Sequence, residues 1–233
     1  MENKISLKKI DKVHLKLNGS FDISVEESND FVGIEYDAKK NDSCIIKQDG
    51  EIISFTADKE DSEWNDDIRE SVSKLNFKNG LLNFLESTKP LIASILNKKK
   101  SQTVHLHLFL KDSGTKKLII EADNVNVDFE RANLQYLSID ADNCHIKSNN
   151  NFAVSKVDIQ SDNLDATIHF GNNARFWTIS SDNASVCVIR EHGFNGQIRV
   201  KGDNKDISGR TDGNCEIGLC QIKADNVDLN IKG

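Results

Sequence analysis

The pair of residues best spaced for chemistry is His105 and His107. Two histidines at i and i+2 in a strand share a face, and such a pair can hold zinc through ring nitrogens. Zinc needs more protein ligands than these, and no third ligand has a matching spacing; His145, His169 and His192 stand isolated. A surface or strand-edge role therefore fits the pair better than coordination. Aspartate is the other chemically suggestive residue, because it recurs at a fixed interval through the second half of the chain. Stacked Asp carboxylates supply hard oxygen ligands for calcium, but the glycine-rich nonapeptide that cradles calcium in such repeats is absent. Carboxylates a set distance apart also hydrolyse glycosides. An acid that recurs with a repeat, however, reads as structural, since a catalytic site breaks the pattern around it.

Five cysteines occur, at 44, 144, 187, 215 and 220, with no C-x-x-C pair. The odd count gives no disulfide framework, and Cys144, Cys187 and Cys220 fall at apolar pattern positions where a free thiol acts as a small core residue. Phosphate-loop, dinucleotide, zincin and nucleophile-elbow motifs are all missing. No cofactor and no catalytic or metal-binding residue is expected.

The repeat itself is the strongest signal. Asp-Asn pairs stand at Asp123-Asn124, Asp142-Asn143, Asp162-Asn163, Asp182-Asn183, Asp203-Asn204 and Asp225-Asn226, a period of about 20 residues, in the range of solenoid repeats. Three residues before each Asp comes Ile120, Ile139, Ile159, Ile179, Val200 or Ile222, and one before comes a small residue, from Ala122 to Ala224. This alternation is the mark of a strand with one buried face. Four residues after each Asp comes Val127, Ile146, Ala166, Val186, Ile207 or Leu229. The odd step between the small residue and this position demands a corner, and Asp-Asn fills it. Asn tolerates the left-handed conformation and stacks its amide on its copies, whereas stacked Asp should point outward or cap a backbone N–H. The fold class expected is all-β: a right-handed parallel β-helix of about 20-residue coils.

Residues 1–61 read as less regular β coils or a cap, with Val13, Leu15 and Leu17, then Phe21, Ile23 and Val25, alternating. Between 62 and 102 the apolar spacing becomes helical, which predicts an α-helical insertion. Its apolar residues Leu81, Leu82, Phe84, Leu85, Leu91, Ile92 and Leu96 either cover an end or side of the solenoid or face a partner or a membrane interface. Residues 103–233 carry the regular coils. The final coil, Cys220 to Ile231, lacks an evident polar cap, so its strand edge is expected either to be covered by another segment or to form a homodimer end to end.

The net charge of −7 over 233 residues argues against broad contact with nucleic acid, and Lys98-Lys99-Lys100 reads as a solvated loop. No run is long enough to span a membrane and no secretory signal opens the chain. A cytoplasmic location is the expectation from residues alone.

The β-rich start, the variable middle and the tandem "L-x-I-x-small-D-N-x-x-I" units resemble the bacterial "putative adhesin" family, a domain of unknown function. The family more often has Ser-Gly or Asn-Gly at the corner. The resemblance implies a parallel β-solenoid and an envelope-associated scaffold, with no catalytic motif to carry over. The function expected is a non-catalytic module that binds protein or glycan through the solenoid face, with outward Tyr136 and Phe176 as contacts. The alternative is a polysaccharide lyase or hydrolase on a β-helix.

Overall fold

The computed structural model describes residues 3–6, 12–37, 45–49, 52–56, 103–111 and 117–233. The helical insertion expected over 62–102 lies outside them. Among the described residues every regular element is a strand. The strands are β1 (Asn3–Ser6), β2 (Lys12–Ser28), β3 (Gly33–Asp37), β4 (Ile45–Asp49), β5 (Ile52–Thr56), β6 (Val104–Lys111), β7 (Lys117–Ser148), β8 (Phe152–Phe170), β9 (Phe176–Arg190), β10 (Gly196–Lys201), β11 (Asn204–Ser208) and β12 (Asn214–Lys232).

All belong to one sheet with the order β1-β3-β6-β2-β7-β8-β9-β12-β10; β11 also pairs with β12, and β5, carrying β4, pairs with β2. The long strands pair in parallel, while the β1–β3, β3–β6 and β4–β5 contacts are antiparallel. Register follows the repeat. Ile139 lies beside Ile159 and Ile159 beside Ile179, and Asn143, Asn163 and Asn183 are successive partners. The expected inward columns form the core, except that Val200 is only partly buried and Ile207 is exposed. Ile120, Ile139, Ile159, Ile179 and Ile222 are buried, as are Val127, Ile146, Ala166, Val186 and Leu229. Where the columns widen, aromatic rings fill the space: Phe129 stacks on Phe152 at 4.5 Å, and Phe152 meets Trp177 edge-on at 6.2 Å.

Two features of the order were not visible in the spacing. The first is at β2. Its apolar positions step evenly from Leu17 to Phe21, as if no corner intervened. The register shows Leu17 beside Ala122 but Ser20 beside Asn124, so three residues, Asn18-Gly19-Ser20, oppose the two of the corner. The extra residue forms a bulge with Gly19 at φ 111°, a conformation that suits glycine. The Asp123 carboxylate accepts the Gly19 N–H at 2.9 Å, the capping role expected of a corner Asp.

The second is at the opposite end. β12 pairs with β9, Asn226 beside Asn183, and β10 and β11 then lie on its other side, with Asn204 beside Asn226. The coil from Cys220 to Ile231 is thus covered by another segment of the chain, one of the two expected outcomes. The segment that ends the stack has the composition of an end. Where Val125, Cys144, Leu164, Ala184 and Val227 are buried, the corresponding position is Lys205, which is exposed with the rest of β11. A lysine there blunts an open strand edge. Replacing Lys205 by valine is expected to change the unfolding free energy by no more than about 0.5 kcal/mol while promoting self-association. Sedimentation over a range of concentrations checks this, and a variant that stays monomeric would show the lysine has no protective part.

Burial also sets the chemistry of the thiols. Cys144 and Cys220 are enclosed, and loss of water pushes each thiol up to about 12, so neither forms the reactive thiolate at neutral pH. Cys187 departs from the core role expected of it: it sits half-buried in the outward series between buried Val186 and Val188. Cys215 is exposed. Brief alkylation of the native protein is expected to label Cys215 and spare Cys144 and Cys220; mass spectrometry of the digest reads the result. Equal labelling of all three would contradict the packing of the columns.

Candidate functional site

The corner pairs build the most regular polar feature of the surface. All twelve corner residues are exposed. Each Asn amide donates to the next: Asn143 to Asn124 at 2.8 Å, Asn163 to Asn143 and Asn183 to Asn163 at 3.0 Å, Asn226 to Asn183 at 2.8 Å, and Asn204 to Asn226 at 2.9 Å. Behind the ladder, the small residue tightens the turn. Ser161 Oγ donates across the corner to the Asn163 carbonyl at 2.7 Å, and Ser181 does the same to Asn183 at 2.8 Å. Once a ladder amide has given one N–H and accepted one, it keeps a second N–H and a second lone pair.

The ladder forms one wall of a groove of about 1820 Å³ that crosses every repeat. The next outward row supplies Asp22, Asn126, His145, Asp165, Ser185, Asp228 and Asp206, in that order across the sheet. Neighbours in this row pair with one another. Asn126 donates to Asp22 at 2.6 Å, and His145 Nδ1 lies 3.1 Å from Asp165. His105 also reaches Asp22 at 3.2 Å, and His107 lies 3.3 Å from Glu26. The two histidines thus face carboxylates of the neighbouring strand, and among the described residues no cluster of His, Cys, Asp and Glu is arranged to hold a metal.

The sequence His145, Asp165, Ser185 across three rungs contains the residue types of a hydrolytic triad, but in an order that cannot work. A base must touch the nucleophile and be oriented by the acid. Here the acid is in the middle, and two rungs, about 9.6 Å, separate His145 from Ser185. Seven carboxylates and two lysines, Lys147 and Lys205, line the groove. Such a balance gives the groove a net negative charge, which favours a neutral or cationic chain over an anionic one.

On the face before the corner, the two outward aromatics expected as contacts come into one column. Tyr136 lies beside Lys156, and Phe176, 41% exposed, lies on the following strand. Leu219 continues the column beside Phe176. Lys156 holds its ammonium 5.6 Å from the centre of the Tyr136 ring and bonds Asp158 at 2.7 Å. Partial burial pulls the Asp158 carboxyl upward, but hydrogen bonds from Lys156, Tyr136 and Thr178 outweigh it and hold the group below its ordinary range. Leu81, Leu82, Phe84, Leu85, Leu91, Ile92 and Leu96, the other residues expected to meet a partner, lie outside the described residues.

Solved structures similar to this chain include three named as adhesion proteins or adhesins. A "putative cell adhesion protein" from Clostridium sporogenes shares 11% identity at a TM-score of 0.43, covering 100% of this chain and 97% of that one. A "putative adhesin" from Bacteroides fragilis shares 11% at a TM-score of 0.44, covering 100% and 95%. A "putative adhesin" from Parabacteroides merdae shares 10% at a TM-score of 0.28, covering 100% and 96%. No protein-family model and no curated protein matches the chain.

Proposed function

We propose that the chain is a right-handed parallel β-helix serving as a non-catalytic binding module of the adhesin-like, cell-envelope type, and that it takes an extended glycan along its outer groove. The observation that carries this reading is the asparagine ladder with its groove. One polar group recurs on each rung, about 4.8 Å apart, with hydrogen-bonding capacity left over on every interior Asn. A repeating polymer meets a repeating surface, as solenoids commonly arrange. Tyr136 and Phe176 extend the contact area round the corner, where flat rings pack on sugar faces. The apolar residues of the 81–96 sequence are proposed as contacts for a protein partner.

Retention on insoluble cellulose, chitin and xylan tests the reading, with polygalacturonate and immobilised poly-lysine as charged comparisons. At least one neutral polysaccharide is expected to retain the protein. A variant with His145, Asp165 and Ser185 all changed to alanine should elute early, and no new reducing ends should appear. Retention on poly-lysine alone would replace glycan by protein as the partner class. New reducing ends or unsaturated products, lost when Asp165 or Asp228 is replaced, would turn the reading towards a polysaccharide hydrolase or lyase.

A further inference from the structure

The stack ends on an open edge. β10 and β11 pair with β12 on one side, and among the described residues no strand pairs with them on the other. The Thr211 carbonyl takes the Ile198 N–H at 2.9 Å, which closes only the start of that edge. Beyond it, three side chains stand where a further coil would meet them. Asn204 donates to Asn226 at 2.9 Å. Every other Asn of the ladder receives such a bond, but among the described residues no amide donates to the Asn204 Oδ1. Lys205 lies beside buried Val227 in an inward column, yet it is exposed and has no carboxylate partner among the described residues. Ile207, the next inward residue, is 39% exposed, and Val200 on β10 is only partly buried.

We propose that this edge binds an extended segment of another protein as one further strand, and that the segment carries the pattern Asn, acid, any residue, apolar. Backbone groups at an open strand edge pair with an added strand, and side chains decide which strand is taken. An added Asn continues the ladder by donating to the Asn204 Oδ1. The residue after it lies on Lys205, one rung away, about 4.8 Å. An apolar residue there covers the ammonium and leaves it without a counter-charge, which is costly, whereas a carboxylate supplies one. Two residues further on, an apolar side chain covers Ile207. A second copy of this chain is the poorer occupant. Meeting edge to edge, it brings a second Lys205 and no acid for that column, since Asp206 stands in the outward row of the groove. Lys205 thus disfavours its own kind and selects a complement. The inference does not rest on a glycan occupying the groove.

The β12 sequence serves as a template for the probe, because it already sits with a coil on either side. A fluorescent peptide of the sequence 219–231, with Cys220→Ala throughout, is prepared with Val227→Glu, with Val227→Lys and with Val227 kept. Anisotropy against the intact protein is expected to show saturable binding of the Glu form. The Lys form should bind about 10- to 100-fold more weakly, since it sets like charges together, and the Val form should fall between them. Adding Asn226→Ala to the Glu form should weaken it by about 2- to 10-fold, the worth of one hydrogen bond. Lys205→Glu in the protein is expected to reverse the order of the Glu and Lys forms; the side chain is exposed, so the variant keeps the fold. Amide shifts in the ¹⁵N-labelled protein should fall on residues 200–208. No saturable binding of the Glu form up to about 1 mM would overturn the proposal. So would a Val or Lys form that binds as well as the Glu form, or a Lys205→Glu protein that keeps the original preference. Shifts confined to residues 143–165 would place the peptide in the groove and refute the edge as its site.

Discussion

Replacing Trp177 by alanine is expected to cost about 3–5 kcal/mol of unfolding free energy, the largest single effect in the chain. The ring is 1% exposed, stands edge-on to Phe152, and gives its indole N–H to the Ala174 carbonyl at 3.1 Å. Alanine would leave a cavity and remove the shorter of the two hydrogen bonds to the Ala174 carbonyl, which keeps only the Gly171 N–H at 3.4 Å. Parallel repeats touch only their neighbours, so the damage should concentrate where it is made. Denaturant unfolding followed by far-UV circular dichroism is expected to split, with β9 to β12 lost before β2 to β8. A single transition displaced by less than about 1 kcal/mol would mean that the ring is not the wedge between these coils.

The second large effect concerns the ladder. Asn163 donates to Asn143 and accepts from Asn183, so Asn163→Asp keeps the acceptor and loses the donor. The new carboxylate would face the Asn143 Oδ1 with no proton between them and would stand next to Asp162. A loss of about 1–3 kcal/mol at neutral pH is expected. The pH dependence gives the mechanism away. The folded state favours the protonated acid, which restores the bond to Asn143, so its folded pKa lies above the unfolded value. The penalty is therefore smallest below the unfolded carboxyl pKa and grows as pH rises through the folded one. A penalty independent of pH would show that the ladder bond is not what the substitution breaks. Asn163→Ala, which cannot ionise, is the control and should show no such trend.

The repeating part of the fold was legible because one rule governs every coil. An odd step in an even pattern can only mean a corner, and the inward residues named from it are buried except in the segment that ends the stack, where Val200 is partly buried and Ile207 is exposed. The corner of β2 was hidden because the bulge at Gly19 adds one residue and restores even spacing. The order of the last two coils was hidden because sequence order is the natural guide to stacking order. Lys205 was the available sign, a charge in a column that is otherwise apolar, and it marks the segment with no neighbour beyond it among the described residues. The ladder was foreseen from the Asn column. The groove beside it was not, since it depends on how a twisted sheet presents rows that no single repeat defines.

The exchanged order of the last coils sets a problem of timing. A growing chain releases residues 196–208 before residues 214–232, yet the finished molecule places the later segment next to β9 and the earlier one outside it. For that interval the edge of β9 is open and Asn204 is the nearest amide that can extend the line from Asn183. Were β10 and β11 to settle there, the later segment would be left to stack on the outside and Lys205 would be shut in where Val227 belongs. The charge makes that arrangement the poorer one. Burying Lys205 would thus penalise the premature partner and favour its displacement by the correct one.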